Sequence, residues 1–525
     1  MRLVVAGWSA FVFVLLGPAF GQAPAGWPFA GQNLSNTRSA SSETTINASN
    51  VGQLALKWVF TTQDDVSATP AVDATAKAVY FPDWAGYLYK VNSDTGQLIW
   101  SHAMTDYGLP VNTISRTTPA LNGNVLVIGA SSTLAAGKAT GAYLLALEAS
   151  TGNLLWKESA DSSPFALLTA SPIIYQGVVY AGISSVEEIL PNPTFRGSAA
   201  AFNLTTGALL WRTYMTPIGY SGVPIWSSTP VVDVTRNSLY VTTGNNYTVP
   251  ASVEKCEMKS ILQPAKVFAC EDPANYFDAI VSLNLTTGAV NWAHRASETD
   301  AWTLACLTLG PTCPMPTGPD YDFGSGANLF TTTVGGTAVQ LLGAGQKSGY
   351  YLALNPETGA QVWAQGIGPG GKLGGIQWGS ATDDTNIYIA IANYYNRNYT
   401  LQTSGATWNG GSWAAVSAGT GQIIWQVPDP GTSTVVSGQP AMDTGPVTVA
   451  NGVLYAPSMS GYVYALSAAT GATLWSYNTG GSVNAGAAIV NGTVYWGSGY
   501  GHFAPEGQPV GTHNNKFFAF ALPAE

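Results

Sequence analysis

The sequence predicts an all-β fold, an eight-bladed β-propeller of four-stranded antiparallel blades, and three observations lead to it. A Thr-Gly pair is followed by a tryptophan four residues after the glycine, and this phrase occurs seven times. The residues before it alternate apolar and polar, as in GYLYKVNSDTG, which is typical of half-buried strands. A repeat of this size cannot bury its own apolar face, so the copies must stack around an axis. The seven pairs are Gly96/Trp100, Gly152/Trp156, Gly207/Trp211, Gly288/Trp292, Gly359/Trp363, Gly421/Trp425 and Gly471/Trp475.

The eighth blade is predicted from the two ends of the repeat region. The segment LALKWVF carries Trp58 without a preceding Thr-Gly, and the C-terminal NNKFFAFAL is a strand without a following turn and tryptophan. These are two halves of one phrase, so strands from both ends of the chain should complete one blade and close the ring. We interpret the repeated tryptophans as packing residues between blades.

Composition favours one domain, the propeller, over residues 22–525. Only 9% of the 525 residues are charged, whereas 59 are Gly and 31 are Pro, which is typical of many short strands and tight turns. The formal net charge of −10 disfavours nucleic acid as a partner, because such partners require basic surfaces. The same acidic balance favours a cation site.

The N-terminus predicts export. Residues 1–21 combine one arginine, a short apolar core and a small-residue end, as secretory signal peptides do. An uncleaved membrane anchor is the alternative. No later stretch is long and apolar enough to span a bilayer, so we expect a secreted or periplasmic protein.

The cysteines and histidines are few. Cys256 and Cys270 are close in sequence, as are Cys306 and Cys313, which predicts two local disulfides in an oxidising compartment. Free buried thiols are the alternative. The sequence has no Cys-x-x-Cys-His, so no covalently attached haem is expected. The four histidines have no regular spacing and predict no zinc or copper site.

The longest interruptions of the repeat hold acidic and amide residues in Gly-rich surroundings. Glu187 and Glu188 stand in GISSVEE, and Asp320 and Asp322 stand in GPDYDFGSG. Taken singly, they fit a solvated loop pair and a turn. Together, in a chain with few charges, carboxylate and amide oxygens are the hard ligands that a calcium-like ion selects.

The chain resembles the pyrroloquinoline quinone (PQQ)-dependent alcohol dehydrogenases, and most of all their polyvinyl alcohol dehydrogenase branch. The resemblance runs from WPFAGQNLSNTR through DVSATPAVD, SRTTPAL, SSVEE and TFRG to PDYDFGSGANLF. It implies the same eight-bladed propeller that the repeats predict. Non-catalytic scaffold propellers of the bacterial outer membrane share the Thr-Gly-x-x-x-Trp phrase, so the cofactor positions decide between the two classes.

The resemblance implies a metal site and a catalytic carboxylate. Glu187 falls at the family's metal-binding glutamate, with Glu188 as the neighbouring candidate, and Asn245 falls at its amide ligand. Asp320 matches the catalytic aspartate and a metal ligand. Asp322 resembles the extra carboxylate ligand of lanthanide-using relatives, although calcium is the default ion.

The resemblance also implies a quinone site. Trp226 matches the tryptophan platform, Arg116 the partner of the cofactor's carboxylates, and Lys347 the cation at the reactive carbonyl. Thr169 and Ser184 resemble hydroxyl contacts, and Gln377 a further polar contact, of the cofactor. The adjacent cysteine pair of many relatives is missing, and so is the haem domain that polyvinyl alcohol dehydrogenases often carry.

These positions together imply oxidation of secondary or polymeric alcohols by hydride transfer to metal-bound PQQ. Asp320 would take the alcohol proton, while the cation and Lys347 polarise the quinone carbonyl. An external cytochrome c or quinone would then accept the electrons. The alternative is a non-catalytic exported propeller that acts as a binding or assembly scaffold, in which the charged positions need not converge.

Overall fold

The computed structural model describes residues 26–132, 139–227, 229–504 and 507–523. The predicted signal peptide, residues 1–21, lies outside the described residues. Eight antiparallel sheets of four or five strands follow one another along the chain, and the predicted eight-bladed propeller is confirmed.

The blades are numbered in chain order, and the blade that joins the two chain ends is blade 8. The strands of blades 1 to 4 are Gly26–Trp27, Ala71–Asp73, Ala78–Pro82, Tyr87–Asn92 and Leu98–Ala103 (blade 1); Thr113–Ile114, Ala120–Asn122, Val125–Ser132, Ala142–Glu148 and Leu154–Ser159 (blade 2); Ala166–Leu167, Ile173–Tyr175, Val178–Ser185, Ser198–Asn203 and Leu209–Tyr214 (blade 3); and Val231–Asp233, Ser238–Thr242, Ala279–Asn284 and Val290–Arg295 (blade 4). Those of blades 5 to 8 are Asn328–Val334, Thr337–Gly345, Tyr350–Leu354 and Gln361–Gly366 (blade 5); Ala381–Thr382, Asn386–Ile391, Ser412–Ser417 and Ile423–Pro428 (blade 6); Thr448–Ala450, Val453–Pro457, Tyr462–Ser467 and Thr473–Asn478 (blade 7); and Ala55–Thr61, Ala488–Val490, Thr493–Ser498 and Lys516–Ala521 (blade 8).

Smaller elements lie in the loops between these strands. Two short strand pairs, two α-helices and four 3₁₀ turns are described: Ser221–Gly222 with Asn246–Thr248, Tyr399–Thr400 with Thr407–Trp408, helices Ala251–Ser260 and Pro264–Phe268, and turns Val51–Gln53, Met104–Tyr107, Glu187–Ile189 and Leu304–Leu307. The predicted disulfides are confirmed as Cys256–Cys270 and Cys306–Cys313, within the two longest insertions. Among the described residues, no helix has the length and hydropathy to cross a bilayer.

Blade 8 is built from both ends of the chain, as predicted. Ala55–Thr61 pairs antiparallel with Lys516–Ala521, so that Ala55 faces Ala521 and Thr61 faces Lys516. Lys516–Ala521 pairs in turn with Thr493–Ser498. The first full-length strand is thus the outer strand of the last blade, and its ladder hydrogen bonds close the ring.

The repeated tryptophans link each blade to the next. Each indole N–H donates to a backbone carbonyl at the turn of the following blade, and Trp475 of blade 7 reaches Leu54, next to the first strand of blade 8. The eight bonds run from Trp58 to Ser93, Trp100 to Ala149, Trp156 to Leu204, Trp211 to Leu285, Trp292 to Pro356, Trp363 to Ala418, Trp425 to Ala468 and Trp475 to Leu54, at 2.7–3.3 Å. The tryptophans therefore lie between blades, as their packing interpretation predicts.

The glycine of the phrase explains why Thr-Gly and tryptophan recur together. Gly421 has φ +73°, and a Cβ there would lie 2.5 Å from the ring of Trp363 in the preceding blade. Gly359 stands in the same way against Trp292. Each glycine thus permits a left-handed turn and leaves room for the neighbouring indole.

Replacing Gly421 with alanine should destabilise the propeller by about 2–4 kcal/mol, the sum of a left-handed alanine and an overpacked contact. Gly452→Ala is the matched control, because Gly452 has φ +80° with nothing within 4 Å of its added Cβ. Thermal unfolding of both variants separates the two costs. Equal losses would show that the Trp363 contact contributes nothing.

Candidate active site

A cavity of about 950 Å³ opens where loops from several blades meet. Its walls include eight of the ten residues that the sequence analysis assigns to cofactor, metal or catalysis, together with Glu188. The eight are Arg116, Thr169, Ser184, Trp226, Asp320, Asp322, Lys347 and Gln377. They come from positions up to 261 residues apart, from Arg116 to Gln377, so the fold rather than local sequence brings them together.

Lys347 is held between two carboxylates. It follows the blade 5 strand Thr337–Gly345, and its Nζ donates to Asp320 Oδ1 at 2.8 Å and to Asp322 Oδ2 at 3.0 Å. All three side chains are buried. Burial lowers the pKa of Lys347, but the negative charges of Asp320, Asp322 and Glu188 outweigh it and raise the pKa above its ordinary value. The ammonium group therefore stays charged.

The carboxylate of Asp322 accepts hydrogen bonds from several parts of the site. Its Oδ2 also accepts the indole N–H of Trp226 at 2.7 Å, and its Oδ1 accepts the backbone N–H of Asn245 at 2.7 Å. One carboxylate thus fixes the positions of an aromatic ring, a lysine and the loop after the blade 4 strand Ser238–Thr242.

Asp320 is held in an unusual backbone conformation. Its φ is +59°, a region that aspartate and asparagine tolerate better than most residues. The buried carboxylate of Asp300 fixes this turn by accepting the backbone N–H groups of Asp320 at 3.1 Å and Tyr321 at 2.7 Å. Burial raises the pKa of Asp320 well above its usual range, although Lys347 acts against this shift. A bound cation would reverse the shift, because positive charge favours the ionised form.

The two adjacent glutamates point to different places. The buried Glu187 carboxylate accepts hydrogen bonds from Ser163 Oγ at 2.7 Å and from the backbone N–H groups of Thr194 and Phe195 at 2.7 and 2.8 Å. It lines a separate pocket, whereas Glu188 lines the cavity. Of the two candidates, Glu188 is therefore the one placed to bind an ion in the cavity, because neighbouring residues in the turn Glu187–Ile189 project in different directions.

Glu188 is half-buried and lines the cavity. Burial raises its pKa to about 7, with Lys347 acting to lower it and Asp322 to raise it. Three carboxyl groups, those of Asp320, Asp322 and Glu188, thus interact around one lysine.

Asn245 is buried beside this group without lining the cavity. Its Nδ2 donates to the carbonyls of Asn246 at 2.8 Å and Trp302 at 2.9 Å. With both amide hydrogens used in this way, the side-chain oxygen is the atom left to serve as a ligand.

Aromatic rings and Arg116 form a further part of the cavity wall. The rings of Trp226 and Trp378 meet edge to face with centroids 5.2 Å apart. The guanidinium carbon of Arg116 lies 4.9 Å from the ring of Trp84 and 5.5 Å from that of Trp378, and its Nη2 donates to the Tyr500 hydroxyl at 3.1 Å. Its buried Nε–H finds no hydrogen-bond partner within the described part of the chain.

The remaining predicted contacts are polar groups on the cavity wall. Thr169 Oγ1 donates to the carbonyl of Trp226 at 2.6 Å, which fixes the backbone of the tryptophan. Ser184 Oγ lies 3.5 Å from Thr169 Oγ1. Gln377 Nε2 donates to the carbonyl of Gly374 at 3.2 Å.

Sequence reasoning missed Asp300, Trp84, Trp378 and Trp302 as parts of this site. A signal for the tryptophans exists, because none of the three follows a Thr-Gly pair. The same is true of Trp226, so every tryptophan of the cavity wall stands outside the repeated phrase. Asp300 has no sequence signal, since it acts through backbone N–H groups 20 residues further along the chain.

This chain is similar in sequence to known proteins. The family model PQQ_2, described as outer membrane protein assembly factor BamB, matches residues 26–294 and 409–505, more than half of the chain. The chain belongs to this PQQ_2 family. Polyvinylalcohol dehydrogenases of Pseudomonas sp. and Sphingopyxis sp. (strain 113P3) are 28% and 29% identical to this family member, over 91% of its chain and 74% and 73% of theirs.

A solved structure shows the fold of this PQQ_2 member. The crystal structure of quinohemoprotein alcohol dehydrogenase from Comamonas testosteroni superimposes with a TM-score of 0.69 at 19% identity, over 95% of this chain and 81% of that one. The resemblance found in the sequence is confirmed: the chain is similar to PQQ-dependent alcohol dehydrogenases over most of its length and shares their propeller fold.

Proposed function

We propose that the protein oxidises secondary or polymeric alcohols with PQQ and a metal ion held in the 950 Å³ cavity, and that Asp320 is the base. The observation that carries this proposal is the convergence of eight predicted residues in one cavity. A pocket of this size, part apolar and part polar, suits a planar cofactor and a small portion of substrate.

The donor set fits a hard cation. Glu188, Asp320 and Asp322 supply carboxylate oxygens, and Asn245 supplies an amide oxygen. Within the described residues, Lys347 is the one cation bonded to Asp320 and Asp322. Burial raises the pKa of Asp320 and of Glu188, so a bound cation would stabilise their ionised forms. A calcium ion, our default, or a lanthanide would supply this positive charge.

The part of the wall that holds Arg116 and Trp226 fits an anionic, planar group. The unpaired Nε–H of Arg116 is a donor for a carboxylate of the quinone, and the ring of Trp226 offers a flat apolar face. Thr169, Ser184 and Gln377 add polar groups around the same space. When bound, the quinone supplies the two-electron acceptor for the hydride of the alcohol.

The chain's own residues position the substrate and hold its proton. Asp320 accepts the hydroxyl proton, Lys347 holds the carboxylate of Asp320 in place, and Asp300 fixes its backbone. The remaining product is the carbonyl compound. Secondary and polymeric alcohols are inferred from the printed names of the polyvinylalcohol dehydrogenase relatives.

The setting of the reaction is part of the proposal. The two disulfides suit an oxidising compartment, so we infer a secreted or periplasmic protein. An external cytochrome c or quinone would reoxidise the cofactor. The acidic charge of −10 gives no support to a nucleic acid partner.

The competing function is a non-catalytic assembly scaffold, which the BamB description of the family model favours. A scaffold does not require a lysine buried between two carboxylates, nor a buried arginine N–H without a partner. These features cost stability unless a ligand uses them, and they support the enzyme instead.

The deciding experiment uses purified, quinone-free protein. PQQ is added with calcium, with lanthanum or with neither, and dye reduction is followed with a secondary alcohol and with poly(vinyl alcohol). Metal-dependent turnover supports the proposal and identifies the ion. Absence of quinone binding under all three conditions would refute it in favour of the scaffold.

The assignment of Glu188 rather than Glu187 gives a separate prediction. Glu188→Gln should weaken cation binding by at least about tenfold through the loss of one charged ligand, whereas Glu187→Gln should leave it unchanged. Terbium luminescence, excited through nearby tryptophans, measures the affinity. Glu187→Gln is a control with the same chemical change in the adjacent residue. The opposite order of effects would restore the original assignment.

A further inference from the structure

Four metal-ligating side chains meet at the rim of the cavity, outside the carboxylate group around Lys347. They are Asp64, Asp65, His502 and His513, and one ligand atom from each lies within 4.8 Å of all the others. The spacing of the histidines predicts no zinc or copper site, because it is irregular. The fold creates the group by joining residues 438 and 448 positions apart.

The distances suit a small ion. His502 Nε2 lies 2.7 Å from Asp64 Oδ2, and His513 Nδ1 lies 3.0 Å from Asp65 Oδ2 and 3.9 Å from Asp64 Oδ1. Ligand atoms around a tetrahedral ion with bonds of about 2.0–2.1 Å are separated by roughly 3.3 Å. Since the four ligand atoms lie within 4.8 Å of one another, the side chains need to shift by on the order of an ångström to share one ion of this kind.

The group is built on the fixed ends of blade 8 strands. Asp64 and Asp65 follow Ala55–Thr61, His502 follows Thr493–Ser498, and His513 precedes Lys516–Ala521. Asp65 is fully buried, and its carboxylate accepts the backbone N–H groups of Gly501 at 2.7 Å and Asn514 at 2.8 Å. His513 is exposed over 60% of its side chain, which leaves an entry path for an ion.

The group also contacts the active-site cavity. The ring of His502 stacks on Trp84 with centroids 5.3 Å apart and planes 13° apart, and both residues line the cavity. The backbone N–H of Trp84 donates to the carbonyl of Asp65 at 3.0 Å. Trp84 in turn packs against Arg116. An ion here would hold one edge of the cavity mouth.

We propose that Asp64, Asp65, His502 and His513 bind one divalent transition metal ion, such as Zn²⁺, that ties the N-terminal and C-terminal loops together beside the cavity. Two imidazole nitrogens with two carboxylate oxygens favour such an ion over calcium, which selects oxygen ligands alone. This site is distinct from the oxygen-donor site at Asp320 and does not depend on quinone binding.

Calorimetric titration of the chelator-treated, quinone-free full chain with ZnCl₂ tests the proposal, with excess calcium present to occupy the oxygen-donor site. We expect one equivalent of Zn²⁺ to bind and to raise Tm, because an ion that binds only the folded chain stabilises it. His513→Ala should weaken binding by at least about tenfold, while His102→Ala, which removes a half-buried histidine of blade 1, should not. Asp320→Asn should bind Zn²⁺ as the unmodified chain does.

Absence of Zn²⁺ binding, or equal affinities of the His513→Ala and His102→Ala variants, would overturn the proposal and leave two Asp–His ion pairs. If His513→Ala does not fold, the visible spectrum of the unmodified chain with Co²⁺ decides. Intense d–d bands of a low-coordinate nitrogen and oxygen site support the ion, and the spectrum of hydrated Co²⁺ refutes it. Loss of Zn²⁺ binding in Asp320→Asn would instead place the ion in the main cavity and refute the rim site.

Discussion

Asp320→Asn should lower kcat for alcohol oxidation by about 10²–10⁴-fold, because the variant keeps the shape of the side chain but has no base to accept the hydroxyl proton. Asparagine also tolerates the φ of +59° at this position, so the turn that Asp300 holds should remain intact. Quinone binding should persist, since Trp226 and Arg116 are unchanged. Steady-state dye reduction gives kcat, and quenching of tryptophan fluorescence by PQQ gives the cofactor affinity.

Asp384→Asn is the matched control for this experiment. Asp384 also has a positive φ, +71°, but it is exposed in blade 6, and its carboxylate accepts the backbone N–H of Thr331 at 3.3 Å. The same chemical change is made in the same kind of backbone conformation. Activity should be unchanged, because Asp384 does not line the cavity. Full activity of Asp320→Asn with quinone bound would show that another group is the base.

The fold could be predicted because its causes are local and repeated. Each Thr-Gly turn needs a glycine for its positive φ, and the indole of the preceding blade fills the space that a side chain would occupy, as with Gly421 and Trp363. A steric rule of this kind leaves the same residues at every repeat. The closing blade could also be predicted, because Trp58 is present where its glycine is not.

The site could be predicted only in part, because its geometry depends on the directions of side chains and on contacts between residues far apart in sequence. The sequence cannot tell which of two adjacent glutamates faces a cavity, and the hydrogen bonds of Glu187 to Thr194 and Phe195 decide it. The rim group of Asp64 and His502 joins residues 438 positions apart. Such pairs form because blade 8 joins the two ends of the chain, so no regular spacing in the sequence indicates them.

The positive charge of Lys347 has a structural consequence that can be measured without substrate. Lys347→Met keeps a similar volume but leaves the buried carboxylates of Asp320 and Asp322 without their partner. Breaking a buried ion pair in this way costs about 3–5 kcal/mol, so Tm should fall markedly in the presence of a chelator. Calcium or lanthanum should restore much of the loss if these carboxylates bind a cation, because the ion replaces the missing charge.

Lys372→Met separates this electrostatic effect from the loss of a lysine in the same cavity. Lys372 also lines the wall, but its Nζ lies 5.2 Å from the ring of Trp302, and the residue is half-buried. Its replacement should change Tm little with chelator present and should not alter the response to calcium. One outcome would contradict the cation proposal: Lys347→Met is as stable as Lys372→Met and gains nothing from calcium. The carboxyl groups around Lys347 would then be protonated in the metal-free protein. The negative charge on which the cation proposal depends would be absent. A large fall in Tm that calcium reverses would instead locate the cation at Asp320 and Asp322, because no other lysine is bonded to that pair within the described residues. This result would not depend on any measurement of turnover.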